Sequence, residues 1–373
     1  MRSASGSLMG GSLPAMVVIA MLQGACASPT SSGSSPSPRA SASAPRSLMA
    51  SPTAPAPTGT APATPPALAW SRLAAVGPAA REDHTWTVDD EAEVAYLFGG
   101  RDGSVSFADL WVYDLAADAW TELAPASPPP ARFGHEAAWV DGVGLVVFGG
   151  QAGTAFFNDL WAYDAASNAW SQLPSDGAVP VPRYGSCSAV GPDDRLWISH
   201  GFTSDGARFS DTLAYDFVSR QWSDETPGGE HPVERCLHAC WVSDAGELTL
   251  YAGQTTGVAA LGDRWTLGAA GWREVAGVLP PERNLPAHAR IDGATVVFGG
   301  MGLDAAFLDD LWLLGDEEAD GEMLTPGGET PAPRSGASMV TDTVRDRVLL
   351  FGGRGADGAF GDTWDLVGVD GGL

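Results

Sequence analysis

The 373-residue chain is long enough for two ordinary domains, and its composition is acidic, with 46 Asp and Glu against 20 basic residues, every one an Arg. A formal charge of −26 excludes binding to nucleic acid through phosphate neutralisation and describes a solvated acidic surface. The absence of Lys carries no mechanism, because Arg and Lys solubilise a surface about equally well.

Residues 1–27 read as an export signal: Arg2 is the only early positive charge, Leu13 to Leu22 is a short apolar stretch, and small residues follow. A stretch that short does not span a bilayer as a helix. Its end, Leu22-Gln23-Gly24-Ala25-Cys26, resembles the lipobox of bacterial lipoproteins, which implies lipidation of Cys26. Gln23 departs from the usual aliphatic residue, and Ala25-Cys26-Ala27 also fits ordinary small-residue cleavage, so simple secretion is the alternative. Residues 28–68 are rich in Ser, Pro, Ala and Thr and nearly free of large apolar side chains. Such a composition cannot offset its ordering entropy by burial and predicts a disordered linker.

The folded part is expected at 69–373, as one domain built from a unit of about fifty residues that recurs six times. Its marks are Gly99-Gly100, Gly149-Gly150, His200-Gly201, Ala252-Gly253, Gly299-Gly300 and Gly352-Gly353, spaced by 50, 51, 52, 47 and 53 residues. The second unit shows every element: Pro130-Ala131-Arg132-Phe133-Gly134-His135, then Leu145-Val146-Val147-Phe148-Gly149-Gly150, then Asn158-Asp159-Leu160-Trp161-Ala162-Tyr163-Asp164, then Trp170. Short runs of β-branched and aromatic residues between Gly, Pro, Asp and Asn predict strands. No segment after residue 70 shows sustained helical periodicity.

These residues resemble the kelch repeat, a double glycine followed by a spaced Tyr and Trp, and the resemblance covers residues 70–366. It implies an all-β fold, a six-bladed kelch β-propeller with four antiparallel strands per blade. Three departures stand out: the glycine pair is incomplete at His200 and Ala252, the Tyr-Asp pair is confined to Tyr113, Tyr163 and Tyr215, and the fifth unit has Gly321 near the expected Trp. The sixth unit ends at Trp364-Asp365-Leu366 with no fourth strand of its own, while Trp70 precedes the first complete unit. The strand Trp70-Ser71-Arg72-Leu73 is therefore expected to close the last blade. Ten of the 14 Trp residues occupy repeat positions and are read as packing between blades. Sugar stacking is left to non-repeat Trp such as Trp139 and Trp241, where packing is again the first reading.

One charged pattern survives every degeneracy. Arg81, Arg132, Arg183, Arg235, Arg283 and Arg334 start the units, and Asp109, Asp159, Asp211, Asp263, Asp310 and Asp362 follow 27 or 28 residues later. Both sets should line one face of the propeller, with the Arg nearer the axis. Two duties compete for the Arg ring. Each fork can pair with its Asp or with loop carbonyls, or some forks can point into the channel mouth and bind a carboxylate, an acidic sugar or an acidic peptide. Phe107, Phe157, Phe209, Leu261, Leu308 and Phe360, each two residues before the Asp, are expected to seat the loops on the blades. The residues between glycine pair and plug, such as Arg101 to Ser106 and Thr203 to Arg208, vary freely and are where selectivity belongs.

If Cys26 is lipidated or removed, Cys187, Cys236 and Cys240 remain, enough for one disulfide at most. Cys236 and Cys240, about 13 Å apart on an extended strand, cannot bridge each other. Cys187 with either of them, or three buried thiols, both stay open. His84, His135 and His238 sit three residues after their Arg, a repeat position, so no metal site is expected. Galactose oxidase, a kelch-type copper enzyme, has two Tyr, one of them crosslinked to Cys, and two His as ligands, and no corresponding set is found here; no cofactor is expected. The reading is a non-enzymatic exported protein of the cell envelope or extracellular space, touching membrane only through a lipid anchor. It binds protein or carbohydrate on the Arg-lined face. The alternative is a sugar mutarotase acting in the channel mouth, which would need an acid/base carboxylate there; Glu82, Glu234 and Glu282 adjoin ring Arg residues.

Overall fold

The computed structural model describes residues 68–316 and 320–368. The expected export signal, Cys26 and all but the last residue of the linker lie outside the described residues. What is described is all β, without a helix. Blade 1 is the antiparallel sheet Thr85–Asp89, Val94–Phe98, Leu110–Asp114 and Ala119–Leu123, in that order. The same four-strand order recurs in blades 2 to 5.

Blade 6 is made from both ends of the described chain. Its strands Ser338–Asp342, Arg347–Phe351 and Thr363–Val367 are completed by Ala69–Leu73, with Trp70 opposite Leu366 and Arg72 opposite Trp364. Antiparallel pairing along five residues removes the two open edges that separate termini would leave. The first strands of neighbouring blades touch one another all the way round, so they form the inner wall of the ring.

Why the chain closes at this size is visible in the inter-blade packing. Trp120 of blade 1 lies 5.1 Å from Phe351 of blade 6, Trp170 of blade 2 lies 5.1 Å from Phe98 of blade 1, and Trp222 of blade 3 lies 5.2 Å from Phe148 of blade 2. Trp70 meets Phe298 in the same way at 5.5 Å. Each outer-strand indole thus caps the second strand of the blade before it, burying on the order of 150–250 Å² of aromatic surface per side chain. Blade 5 lacks this Trp. There a Cβ on Gly321 would stand only 2.6 Å from Leu314, and Leu314 clusters instead with Tyr251 and Trp241.

The glycine pair has two jobs of unequal strictness. Gly100 and its counterparts all take a left-handed backbone with φ of 90 to 105°, and a Cβ on Gly100 would meet the Glu82 carbonyl oxygen at 2.8 Å. The first position is also left-handed, yet His200 (φ 60°) and Ala252 (φ 68°) occupy it. The narrower αL angle is one a side chain tolerates at some cost, which explains why only the first glycine degenerates.

Cys236 differs from expectation. It lies ahead of the inner strand Ala239–Val242, in a bridge to Gln254, with Leu237 left-handed behind it (φ 59°). Cys187 and Cys240, on the inner strands of blades 3 and 4, form a disulfide with Cα atoms 5.8 Å apart, and Cys236 is a buried free thiol.

Candidate functional site

The starts of the first and third strands and the glycine loops share one end of every blade, so the ring Arg and Asp meet on one face. In each blade they form the same spoke. Both terminal nitrogens of the Arg donate to both carboxylate oxygens of the Asp at 2.6 to 3.1 Å. Nη1 also donates to the carbonyl at the first position of the glycine pair, as Arg81 does to Gly99 at 2.9 Å, and Nε to a carbonyl two residues upstream. In four blades the plug phenylalanine covers the guanidinium, with Phe107 4.2 Å from Arg81 and Phe360 4.1 Å from Arg334. All six Arg are at most 1% exposed.

The spokes therefore answer the question that the sequence left open. The six forks are engaged inside the frame and are not presented to the mouth as free donors. Burial alone would raise Asp109, Asp159, Asp263, Asp310 and Asp362, but the hydrogen bonds and charge of the paired Arg, helped by the indole N–H of the Trp two residues on, hold them below the usual carboxylate range. A buried charge-assisted fork of this kind ties the first and third strands of a blade. The backbone of the same Arg ties neighbouring blades, since Gly100 N–H donates to the Arg132 carbonyl at 2.9 Å and Gly353 N–H to the Arg81 carbonyl at 2.8 Å.

Two residues beyond each ring Arg, a second circle closes. Asp83, Gly134, Gly185, Leu237, Leu285 and Gly336 are all left-handed and hand one backbone hydrogen bond to the next around the axis. Gly134 N–H donates to Asp83, Gly185 to Gly134, Leu237 to Gly185, Leu285 to Leu237, Gly336 to Leu285 and Asp83 to Gly336, at 2.8 to 3.1 Å. This collar narrows the axial channel at the spoke face.

Inside and around the collar, the side chains no longer repeat. The residue after the second glycine is Arg101, Gln151, Phe202, Gln254, Met301 or Arg354. Arg101 pairs with Asp83 at 2.9 Å, and Arg354 pairs with Glu82 at 2.6 Å and Asp102 at 3.2 Å, which links blades 6 and 1. Phe133, Tyr184, Phe202 and Phe156 make an edge-to-face row from blade 2 to blade 3, with Arg101 4.4 Å above Phe133 and Arg208 at 6.0 Å from Phe202. Below the collar, Glu136 projects from the second blade's inner strand into the channel. The surrounding protein pushes its carboxyl well above the ordinary range.

His84, His135, His200 and His238 are buried, and their imidazoles are held below the ordinary range. Burial first, and then the Arg132 charge, lowers His135 to about 3; burial also lowers His84, His238 and His288. His135 shares a 2.9 Å hydrogen bond with Thr85, and His288 one with the Cys240 carbonyl. No group of three or more metal-ligating side chains is assembled among the described residues. Trp139 is stacked on Tyr96 at 5.5 Å and Trp241 is buried. On the opposite face a cavity of about 280 Å³ holds Arg290 and Arg347, each already paired with acidic neighbours.

Asp83, Glu136 and Arg354 are thus residues that repeat reading did not single out, whereas Arg101 opens a loop stretch already expected to carry selectivity. Aligning the six units on their ring Arg would have exposed the two acids, because the other blades carry Gly or Leu at the position of Asp83 and Thr, Cys, Ala or Ser at that of Glu136.

A family model described as the KLHDC2/KLHL20/DRC7 Kelch-repeats domain matches residues 64–253. Among curated proteins, the chain is 30% identical over 294 residues to Adagio-like protein 3 of Oryza sativa subsp. japonica, covering 72% of this chain and 45% of that protein. It is 29% identical over 294 residues to Adagio protein 3 of Arabidopsis thaliana, covering 72% and 46%. Over 202 residues it is 32% identical to the Leucine-zipper-like transcriptional regulator 1 homolog of Drosophila melanogaster, covering 48% and 20%. The chain spans less than half the length of each of these three relatives.

Proposed function

The chain belongs to the kelch-repeat domain family, and from that premise we propose that it is a non-enzymatic binding module that engages a protein partner on the spoke face. One observation carries the reading: the frame is six-fold in its spokes and collar, while the side chains that line the rim and channel depart from six-fold. A structural duty explains what repeats. It does not explain Arg101, Arg354, Tyr184 and Phe202, which place charge and aromatic surface around one part of the mouth, as protein interfaces favour. Carbohydrate is the second ligand class for the same aromatic row.

Export belongs to the proposal as well. The leader-like residues 1–27, with Cys26 as the lipid acceptor, motivate it, and the Cys187–Cys240 disulfide supports it because such bonds persist in oxidising compartments. Mass spectrometry of the mature protein tests this part: an intact N-terminus, or a Cys26 that is present and free of lipid, removes the anchor. For the binding face, envelope and medium fractions are crosslinked to the wild type and to the Arg354→Ala/Phe202→Ala variant. Loss of the same captured protein in the variant is expected; unchanged capture overturns the face assignment. Accelerated anomer exchange of a sugar, followed by NMR, would replace the binding reading with the mutarotase one.

A further inference from the structure

The ring Arg suggests a face that selects anions, but the side chains left without partners say the opposite. Two overlapping spaces, about 220 Å³ along the channel and about 150 Å³ at the collar, share His84, Glu136, Ser186 and His238 in their walls. The Glu136 carboxyl, half-buried in the channel wall, makes no hydrogen bond and no ion pair among the described residues. Asp83 has one oxygen occupied, by Arg101 at 2.9 Å and the Tyr184 hydroxyl at 3.2 Å, while its buried Oδ1 has no partner among them.

We propose that the collar and the channel beneath it form a binding site for a cationic nitrogen, an ammonium or guanidinium group, received by Glu136 and Asp83.

Three further features fit this chemistry. His84 and His238, 5% and 7% exposed, line both spaces with both ring nitrogens unpartnered, and as neutral imidazoles each offers a lone pair to an N–H donor. The neighbouring cations that would disfavour such a ligand are spent, since Arg81, Arg132 and Arg235 are locked in their spokes. The collar also leaves room for the acid: Gly336 is left-handed (φ 63°), and a Cβ there would press within 2.8 Å of Asp83 Oδ1. The larger space corresponds to roughly seven waters at about 30 Å³ each, enough for a four-carbon amine or a lysine stem. A carboxylate held in a channel wall without a counter-ion is less favourable than a paired one, so an entering cation gains a pairing interaction there. The overall acidic field raises the local concentration of such ligands.

The cation comes either from a free small amine or from a Lys or Arg side chain of a bound protein, and the second source rests on the binding reading above. The test is calorimetric titration of the intact protein with n-butylammonium and, as its neutral shape control, n-butanol. Saturable binding of the amine alone is expected, weakened at least tenfold in Glu136→Gln and in Asp83→Asn. Equal responses to amine and alcohol, or full amine affinity in Glu136→Gln, overturn the proposal. Glu136→Gln removes no existing contact, so it decides the matter even if Asp83→Asn, which loosens Arg101, fails to fold. A pentapeptide with a central Lys, compared with its norleucine twin, separates the sources: tighter binding than butylammonium assigns the site to a partner's side chain, and weaker binding to a free amine. If amine binding fails while Arg354→Ala/Phe202→Ala still abolishes partner capture, the binding face stands without this site.

Discussion

The spokes and the channel occupy the same face, yet they treat charge in opposite ways. Every spoke directs four of its Arg's five N–H donors to one carboxylate, a loop carbonyl and an upstream carbonyl, six times over. The channel beside them keeps one carboxyl, that of Glu136 in the second blade, with no hydrogen bond or ion pair among the described residues. Repetition marks charges that hold the frame, and singularity marks charges that the frame does not need. For a repeat protein this inverts the usual instinct, because the conspicuous ring is mortar and the isolated acid is the better candidate contact.

The comparison can be broken at the spokes first. Arg132→Ala leaves the half-buried Asp159 without its fork, and since removing one partner of a fully buried pair costs about 3–5 kcal/mol, the loss is expected toward the lower end, about 3 kcal/mol. Urea unfolding should show a correspondingly lower midpoint, whereas a midpoint within error of the wild type would mean that the ring is not structural.

The disulfide is the next largest effect. Cys187 and Cys240 are 53 residues apart and staple the inner strands of blades 3 and 4, so replacing both by Ser should cost about 2–4 kcal/mol. Thermal melts with and without a reductant measure it. An unchanged melt in the double variant would show that inter-blade packing alone holds this seam.

Acidification sharpens the contrast further, at about 1 kcal/mol for each affected imidazole by pH 5.5. His135 and His200 are lowered to about 3, by burial first and then by nearby Arg charges, against an ordinary value near 6.5. The unfolded chain takes up protons that the folded chain refuses, so this stability is complete above about pH 6.5 and declines as pH falls toward the folded values. The five lowered spoke Asp add a second decline below about pH 3.9. Glu136, whose carboxyl is raised, works the other way and gains stability on acidification, so Glu136→Gln should steepen the fall. A melting temperature that is flat from pH 7 to 5 would contradict neutral buried histidines.

Much of this fold was legible because its signals recur. A glycine pair that fails twice and a Tyr that fails three times can still be counted, and the strand at Trp70 was required by a sixth unit with no outer strand of its own. The disulfide was legible only as one of three outcomes, since the thiols could all have stayed free and whether Cys236 or Cys240 faces Cys187 depends on where the inner strand begins. Leu237, held left-handed by the collar, is what turns Cys236 out of that strand. The aromatic row of the rim was not legible, because Phe133 and Tyr184 follow their ring Arg while Phe156 and Phe202 lie in the glycine loops, and these positions meet only through the curvature of the ring.

By itself, the amino-acid order determined the number of blades, the closing strand and the existence of a charged ring, because each follows from periodicity and from the need to pair strand edges. Only the tertiary structure decided what that ring is for. An Arg and an Asp 27 or 28 residues apart can equally meet each other or meet a ligand, and the choice depends on burial, which no spacing encodes. Burial closes the spokes on themselves and leaves the Glu136 carboxyl and one oxygen of Asp83 without partners among the described residues.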